Sequence, residues 1–167
     1  MTSDSTSLSD RIAVEERLYM YAHLLDSQQY HRVADEVFTD DGDIDFGGTR
    51  AQGRAEIVAT VTGYTGMLKG CSHNISNVII EIAGDDARAT SKVLAWHWFH
   101  REDGNEYAST DLLAVGGYQD RLRRTPKGWR IYQRRGMNFG TGIGVGDVPD
   151  EMKPIFDGMR GRLPDWP

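Results

Sequence analysis

The stretch that decides the fold is Cys71–Ile82, CSHNISNVIIEI. Ile75, Val78, Ile79, Ile80 and Ile82 supply the β-branched bulk of a strand, so from His73 onward the segment is read as extended. Strict alternation places His73, Ile75, Asn77 and Ile79 on one face and Asn74, Ser76, Val78 and Ile80 on the other. A histidine at the mouth of such a strand, above apolar neighbours, suits the floor of a pocket. Its ordinary pKa lets it accept and return protons near neutral pH. A satisfied core histidine is the competing reading.

Three helical patterns precede that strand. In the first, Val14, Leu18, Tyr21, Ala22 and Leu25 fall at helical spacing, with Ser9 as the expected cap and Asp10 in the first turn. Asp26 stands at the end of this helix, where the partly negative C-terminus makes a carboxylate unwelcome. It is either a solvated terminal residue or one retained for a partner, with His73 the candidate. SQQYHRVADEVF gives a short second helix, DIDF a short strand and GGTRAQGR a turn. AEIVATVTGYTGML gives the third helix.

Three longer strands follow, joined by tight turns and so expected to pair antiparallel. DDARATSKVLAWHWFHRE places Ala87, Ala89, Ser91, Val93, Ala95, His97 and Phe99 on one face. YASTDLLAVGGYQDRLRR comes next, then WRIYQRRGMNF. Alternation in the last strand aligns Arg135 with the apolar residues Trp129, Ile131, Met137 and Phe139. Arg135 is therefore expected to point inward, toward an anion or a carboxylate, and Arg134 outward with Arg130. Helices first and a meander afterwards make an α+β fold, three helices on a strongly curved, mostly antiparallel sheet. The domain is expected to span residues 9–139, between a tail at 1–8 and a Gly-rich tail at 140–167 with a short closing helix.

Length and composition fit one domain of 167 residues, 39% hydrophobic and 26% charged. A net charge of −6 argues against nucleic acid or an anionic membrane as partner, since both call for a basic face. The single cysteine, Cys71, excludes an internal disulfide and suits a reducing cytoplasm. No signal peptide or membrane span is read in the chain, so a cytoplasmic location is expected. His97 and His100 would sit on opposite strand faces, so no metal pair is expected. GTGIGVG lacks the βαβ context of a phosphate loop. Tyr21 lies on the apolar helix stripe, either as a core tyrosine or as a pocket donor.

RLYMYAHLLDSQQYHRVADEVFTDDGDIDF, GRAEIV, SHNISNVIIEIAGDDARATS and GYQDRLRRTPKGWRIYQR together resemble the SnoaL-like branch of the nuclear-transport-factor-like, cone-shaped α+β barrel proteins. That superfamily includes dehydratases, a dehydrochlorinase, isomerases and polyketide cyclases, so fold alone leaves the reaction open. The resemblance to the dehydratase and dehydrochlorinase branch implies that Asp26 and His73 form the catalytic pair. It implies Tyr21 and Arg135 as further site residues, with His97 an approximate counterpart of a second strand histidine. Tyr21, Asp26 and His73 are thus the expected catalytic residues, and Arg135 and His97 the expected substrate contacts. The implied enzyme is a cofactor-independent, metal-free lyase for a small, largely apolar ring compound. An isomerase, a cyclase-like enzyme or a non-catalytic binding protein are the alternatives. Leu94, Trp96 and Trp98 share a face with outward Lys92, and a homo-oligomer, dimer or trimer, is expected from that apolar face.

Overall fold

A computed structural model describes residues 5–100 and 112–137, with Pro154 and Gly158 beyond them. Helix α1 spans Ser5–Asp26, α2 Tyr30–Glu36 and α3 Gly53–Thr65. The strands are β1 Phe38–Asp45, β2 Arg50–Gln52, β3 Leu68–Ala83, β4 Asp86–Phe99, β5 Leu112–Thr125 and β6 Gly128–Met137. They form one sheet in the order β2-β1-β6-β5-β4-β3, antiparallel throughout except where β1 runs parallel to β6. This is the expected α+β cone, three helices on a mostly antiparallel sheet.

The helix stripe behaves as its spacing requires. Val14, Leu18, Tyr21, Ala22 and Leu25 are all buried, packed with Ile44, Ile57, Leu122, Trp129 and Ile131. α1 starts four residues earlier than Ser9, so Asp10 lies inside the helix instead of in its first turn. Asp10 precedes Val14 by one helical turn and joins the same buried stripe. There it accepts two hydrogen bonds from Arg124 at 2.7 Å and one from the Trp129 indole at 3.0 Å. Those bonds hold its carboxyl down to about 2 and tie the start of α1 to β5 and β6.

β2 was expected as part of a turn, and it pairs with β1 from Asp43 to Asp45. The turn from β5 to β6 closes at Gly128, whose φ of +88 suits glycine and strains other residues. Pro154 and Gly158 are helical, within the segment expected to close the chain. The other residues of that tail, the tight turn expected between β4 and β5 at DGNE, residues 103–106, and Phe139 lie outside the described residues. No helix among the described residues is long and apolar enough to cross a membrane.

Among the sheet's register shifts, one in β3 and one in β6 overturn the expected alternation, and both are β-bulges. In β3 the register slips between Ser76 and Ile79, where Asn77 adopts φ 51. One extra residue there exchanges the two faces for the rest of the strand. His73 and Ile75 still face the helices, opposite Ala95 and Val93, but beyond the bulge Ile80 and Ile82 take the inner face. Ile79, expected inward, is 61% exposed, while Ile80 is buried. In β6 the pairing with β5 steps from Leu122↔Ile131 to Arg121↔Gln133, so Tyr132 is the extra residue. Beyond it Arg134, not Arg135, carries the inward phase.

Candidate active site

α1 ends beside the first half of β3, and that junction builds the site. β3 begins at Leu68, so Cys71 and His73 both lie in the strand on its inner face, opposite His97 and Ala95. At the last residue of α1, Asp26 accepts two hydrogen bonds from His73. The backbone N–H reaches Oδ2 at 2.8 Å and the ring Nδ1 reaches Oδ1 at 2.6 Å. A carboxylate can only accept, so Nδ1 carries the proton and Nε2 is left as the basic nitrogen. The backbone bond fixes the carboxylate and the ring bond fixes the imidazole. The His73 side chain is 8% exposed and that of Asp26 28%, so solvent reaches the acid more readily than the ring.

His97 lies against this pair, its ring edge-on to His73 with centroids 5.3 Å apart. Burial and the neighbouring His73 push its pKa down to about 4, against a backbone hydrogen bond to Leu112 that works the other way. At neutral pH His97 is therefore uncharged, and its Nδ1 is buried with no partner among the described residues. The Cys71 thiol contacts the Leu25 carbonyl at 3.7 Å and lies against Asp26. Burial, with the Asp26 charge beside it, pushes that thiol up to about 12, so it stays protonated.

Tyr21 belongs to a second cluster. It is 3% exposed and meets Phe38 and Tyr118 edge-on at 6.1 and 5.8 Å. The Arg134 guanidinium lies 4.2 Å from both the Tyr21 and the Tyr118 rings. Asp120 receives Nε and Nη2 of Arg134 at 2.7 and 2.8 Å, a fork-to-fork pair whose partners are 0% and 1% exposed. Burial opposes the charge on Arg134, but Asp120 and the two tyrosines more than offset it and hold the guanidinium firmly protonated. Burial, helped by Asp120 and Cys71, pushes the Tyr21 hydroxyl upward, with Arg134 opposing, so Tyr21 stays a neutral donor.

The expectation that Arg135 points inward fails because of the extra residue in β6. Arg135 pairs across from Gln119 and Asp45, and lines an outer-face cleft of about 340 Å³ with Asp43, Arg50 and Arg121. Arg134, expected to face solvent, is the buried arginine. The signal that could have found it was Asp120. In β5, alternation puts Asp120 between Tyr118 and Leu122 on the inner face, and a carboxylate there demands a cation from the adjoining strand.

The SnoaL-like domain family matches residues 6–135, over three quarters of the chain. The chain belongs to the SnoaL-like family. Among solved structures, this SnoaL-like chain resembles a provisionally named scytalone dehydratase from Novosphingobium aromaticivorans. That protein is 25% identical, with 86% of this chain and 91% of the other covered and a TM-score of 0.74. It also resembles the Kfla4162 protein of Kribbella flavida, 24% identical over 79% of this chain and 92% of that one, TM-score 0.72. A hexachlorocyclohexane dehydrochlorinase (LinA) of type 2 is 19% identical, with 89% and 99% covered and a TM-score of 0.71. The last two likenesses show the shared fold. No curated protein matches the chain.

Proposed function

We propose that this SnoaL-like protein is a lyase that uses side-chain acid–base chemistry to eliminate water or a similar leaving group from a small cyclic substrate. The observation that carries this reading is the double acceptance by Asp26 of the backbone and ring N–H groups of His73. A site that only binds an apolar molecule has no need of a histidine whose tautomer and orientation are both fixed. In the proposed reaction His73 Nε2 takes a proton from the carbon beside an electron-withdrawing group. The electron pair of that C–H bond forms the new double bond, and the leaving group departs from the adjacent carbon. Asp26 stabilises the imidazolium, which then returns its proton to the departing hydroxide or to solvent.

Tyr21 sits five residues, about 7.5 Å of helix rise, before Asp26 on α1. With Arg134 stacked on its ring, its hydroxyl is the proposed donor toward charge developing on a carbonyl or leaving group. Arg134 acts here by positioning Tyr21. His97, neutral and beside His73, is the proposed polar contact for the substrate. The likeness to dehydratase and dehydrochlorinase structures supports elimination over isomerisation, which the same base could also perform. Half-buried Leu94, Trp96 and Trp98, with the more exposed Val115 and Ile79, are apolar side chains outside the inner face, and we propose that this surface pairs two or more copies. Sedimentation showing only monomers at micromolar concentration would count against that assembly.

The test of the reaction is turnover on a panel of cyclic β-hydroxy carbonyl compounds and chlorinated rings, with product analysis separating elimination from isomerisation. His73→Ala is expected to lose about 10²–10⁴-fold in rate while its melting temperature stays near the wild-type value. Asp26→Asn should lose most of the rate, because an amide also accommodates the wrong imidazole tautomer. Tyr21→Phe should lose less. A His73→Ala protein that turns over at the wild-type rate overturns the reading.

A further inference from the structure

Asp26, Cys71 and His73 do more than form a base. One carboxylate oxygen, the thiol sulfur and one imidazole nitrogen all lie within 4.8 Å of one another. These are the donor types of zinc sites, oxygen, sulfur and nitrogen on one centre. A fourth donor adjoins them. His97 is the cross-strand partner of Cys71, its ring is 5.3 Å from that of His73, and its Nδ1 is buried and unpartnered among the described residues. The nitrogen itself is buried, so solvent does not explain its lack of a partner.

We propose that Asp26, Cys71 and His73, completed by His97, bind a thiophilic divalent cation of the Zn²⁺ class, and that the bound ion shuts the site off. Bond lengths of about 2.0–2.3 Å put the donors of a tetrahedral zinc site roughly 3.3–3.7 Å apart. For the Asp26, Cys71 and His73 atoms, now within 4.8 Å of one another, that range is reached by side-chain movements of about 1 Å. The proton balance is simple. Cys71 releases its thiol proton to solvent on binding, while Asp26 is already a carboxylate. If the ion takes Nδ1 of His73, the displaced proton moves to Nε2, and the nitrogen that serves as base is now a donor. If the ion takes Nε2 instead, the base is occupied outright. Asp26 Oδ2 keeps its bond from the His73 backbone in either case, so the strand need not shift. The binding half of this proposal stands on the donor set alone, and only the shut-off rests on the reading of His73 as base.

The experiment titrates Co²⁺ into the reduced, chelator-treated full-length protein. One equivalent should raise a sulfur-to-cobalt charge-transfer band together with the strong visible bands of tetrahedral cobalt, and Zn²⁺ should bleach both. Cys71→Ala should remove the charge-transfer band and weaken binding ~10-fold or more, while catalysis in the absence of metal stays at the wild-type rate. His97→Gln should keep the sulfur band and weaken the visible ones. No sulfur band in the wild type overturns the site, whether or not the variants fold. So does Co²⁺ binding to Cys71→Ala with wild-type affinity, which would place the ion elsewhere. A sulfur band on the wild type with turnover unaffected by Zn²⁺ would overturn the shut-off while leaving the site.

Discussion

Two carboxylates of this molecule, Asp120 bound to a guanidinium and Asp26 bound to an imidazole, make pairs that differ in one respect above all. Asp120–Arg134 joins neighbouring strands at 1% and 0% side-chain exposure, with tyrosine rings stacked on the guanidinium. Asp26–His73 joins a helix end to a strand at 28% and 8%. Both are short and well aligned. The closed pair holds its charges permanently, because arginine does not lose its proton in a protein. The open pair has an imidazole in place of the guanidinium, and solvent reaches its acid. The two pairs are therefore told apart by solvent access and by the base that each acid holds, not by distance.

The largest effect expected from breaking this comparison is on the closed side. Asp120→Ala leaves a guanidinium buried with no counter-charge, and should cost about 3–5 kcal/mol in urea unfolding. Replacing both partners, Asp120→Leu with Arg134→Met, should recover most of that loss, since the penalty comes from the orphaned charge. A double variant no better than Asp120→Ala would mean that the pair itself, and not its burial, stabilises the inner face. Asp26→Ala, by contrast, should cost well under half as much, because it orphans two uncharged N–H groups and not a buried guanidinium.

How much of this was legible in the sequence divides along the same line. Helix spacing alone fixed the buried stripe of α1, since Val14 through Leu25 repeat without interruption. The position of Asp26 at a helix end, where it is electrostatically unwelcome, pointed to a partner, and His73 is that partner. The arginine was misplaced because strand alternation carries no information about extra residues. Ile131 to Arg134 is three steps, yet both face inward, because Tyr132 bulges. Nothing in YQRR marks that bulge. The inner-face Asp120 was a usable signal, as was Asp10 one turn before Val14, for each is an acid on an otherwise apolar stripe.

A smaller effect sharpens the open side. His97 sits beside His73 with its pKa pushed down to about 4 from an unfolded value of 6.5. Between those values the unfolded chain binds the proton and the folded one does not, so stability is present in full above about 6.5 and is lost as pH falls toward 4. The loss from this group is at most about 3 kcal/mol, by the conversion of 1.36 kcal/mol per unit of pKa. Urea midpoints measured from pH 7 down to 4 should fall, and His97→Gln should flatten that fall. An unchanged slope in the variant would show that other groups carry the acid sensitivity, and would remove the argument that His97 is neutral and desolvated at the site.

The smallest effect tests the bulge that keeps the two regions in their places. In β3, Asn77 holds φ 51 at the point where the strand exchanges faces, so that His73 and Ile75 before it and Ile80 and Ile82 after it all face the core. The left-handed region costs an ordinary L residue roughly 1–2 kcal/mol, less for asparagine and nothing for glycine. Asn77→Val should therefore lower stability by about 1–2 kcal/mol, a β-branched residue being the worst fit there, while Asn77→Gly should leave it within about 0.5 kcal/mol of wild type. Asn77 is exposed, so neither substitution removes core packing, and the difference between them isolates the backbone term. Because the bulge lies four residues beyond His73, turnover should change little in either variant. Should Asn77→Val prove as stable as Asn77→Gly, the face exchange would have to be held by the packing of Ile80 and Ile82 alone, and the left-handed residue would be its consequence.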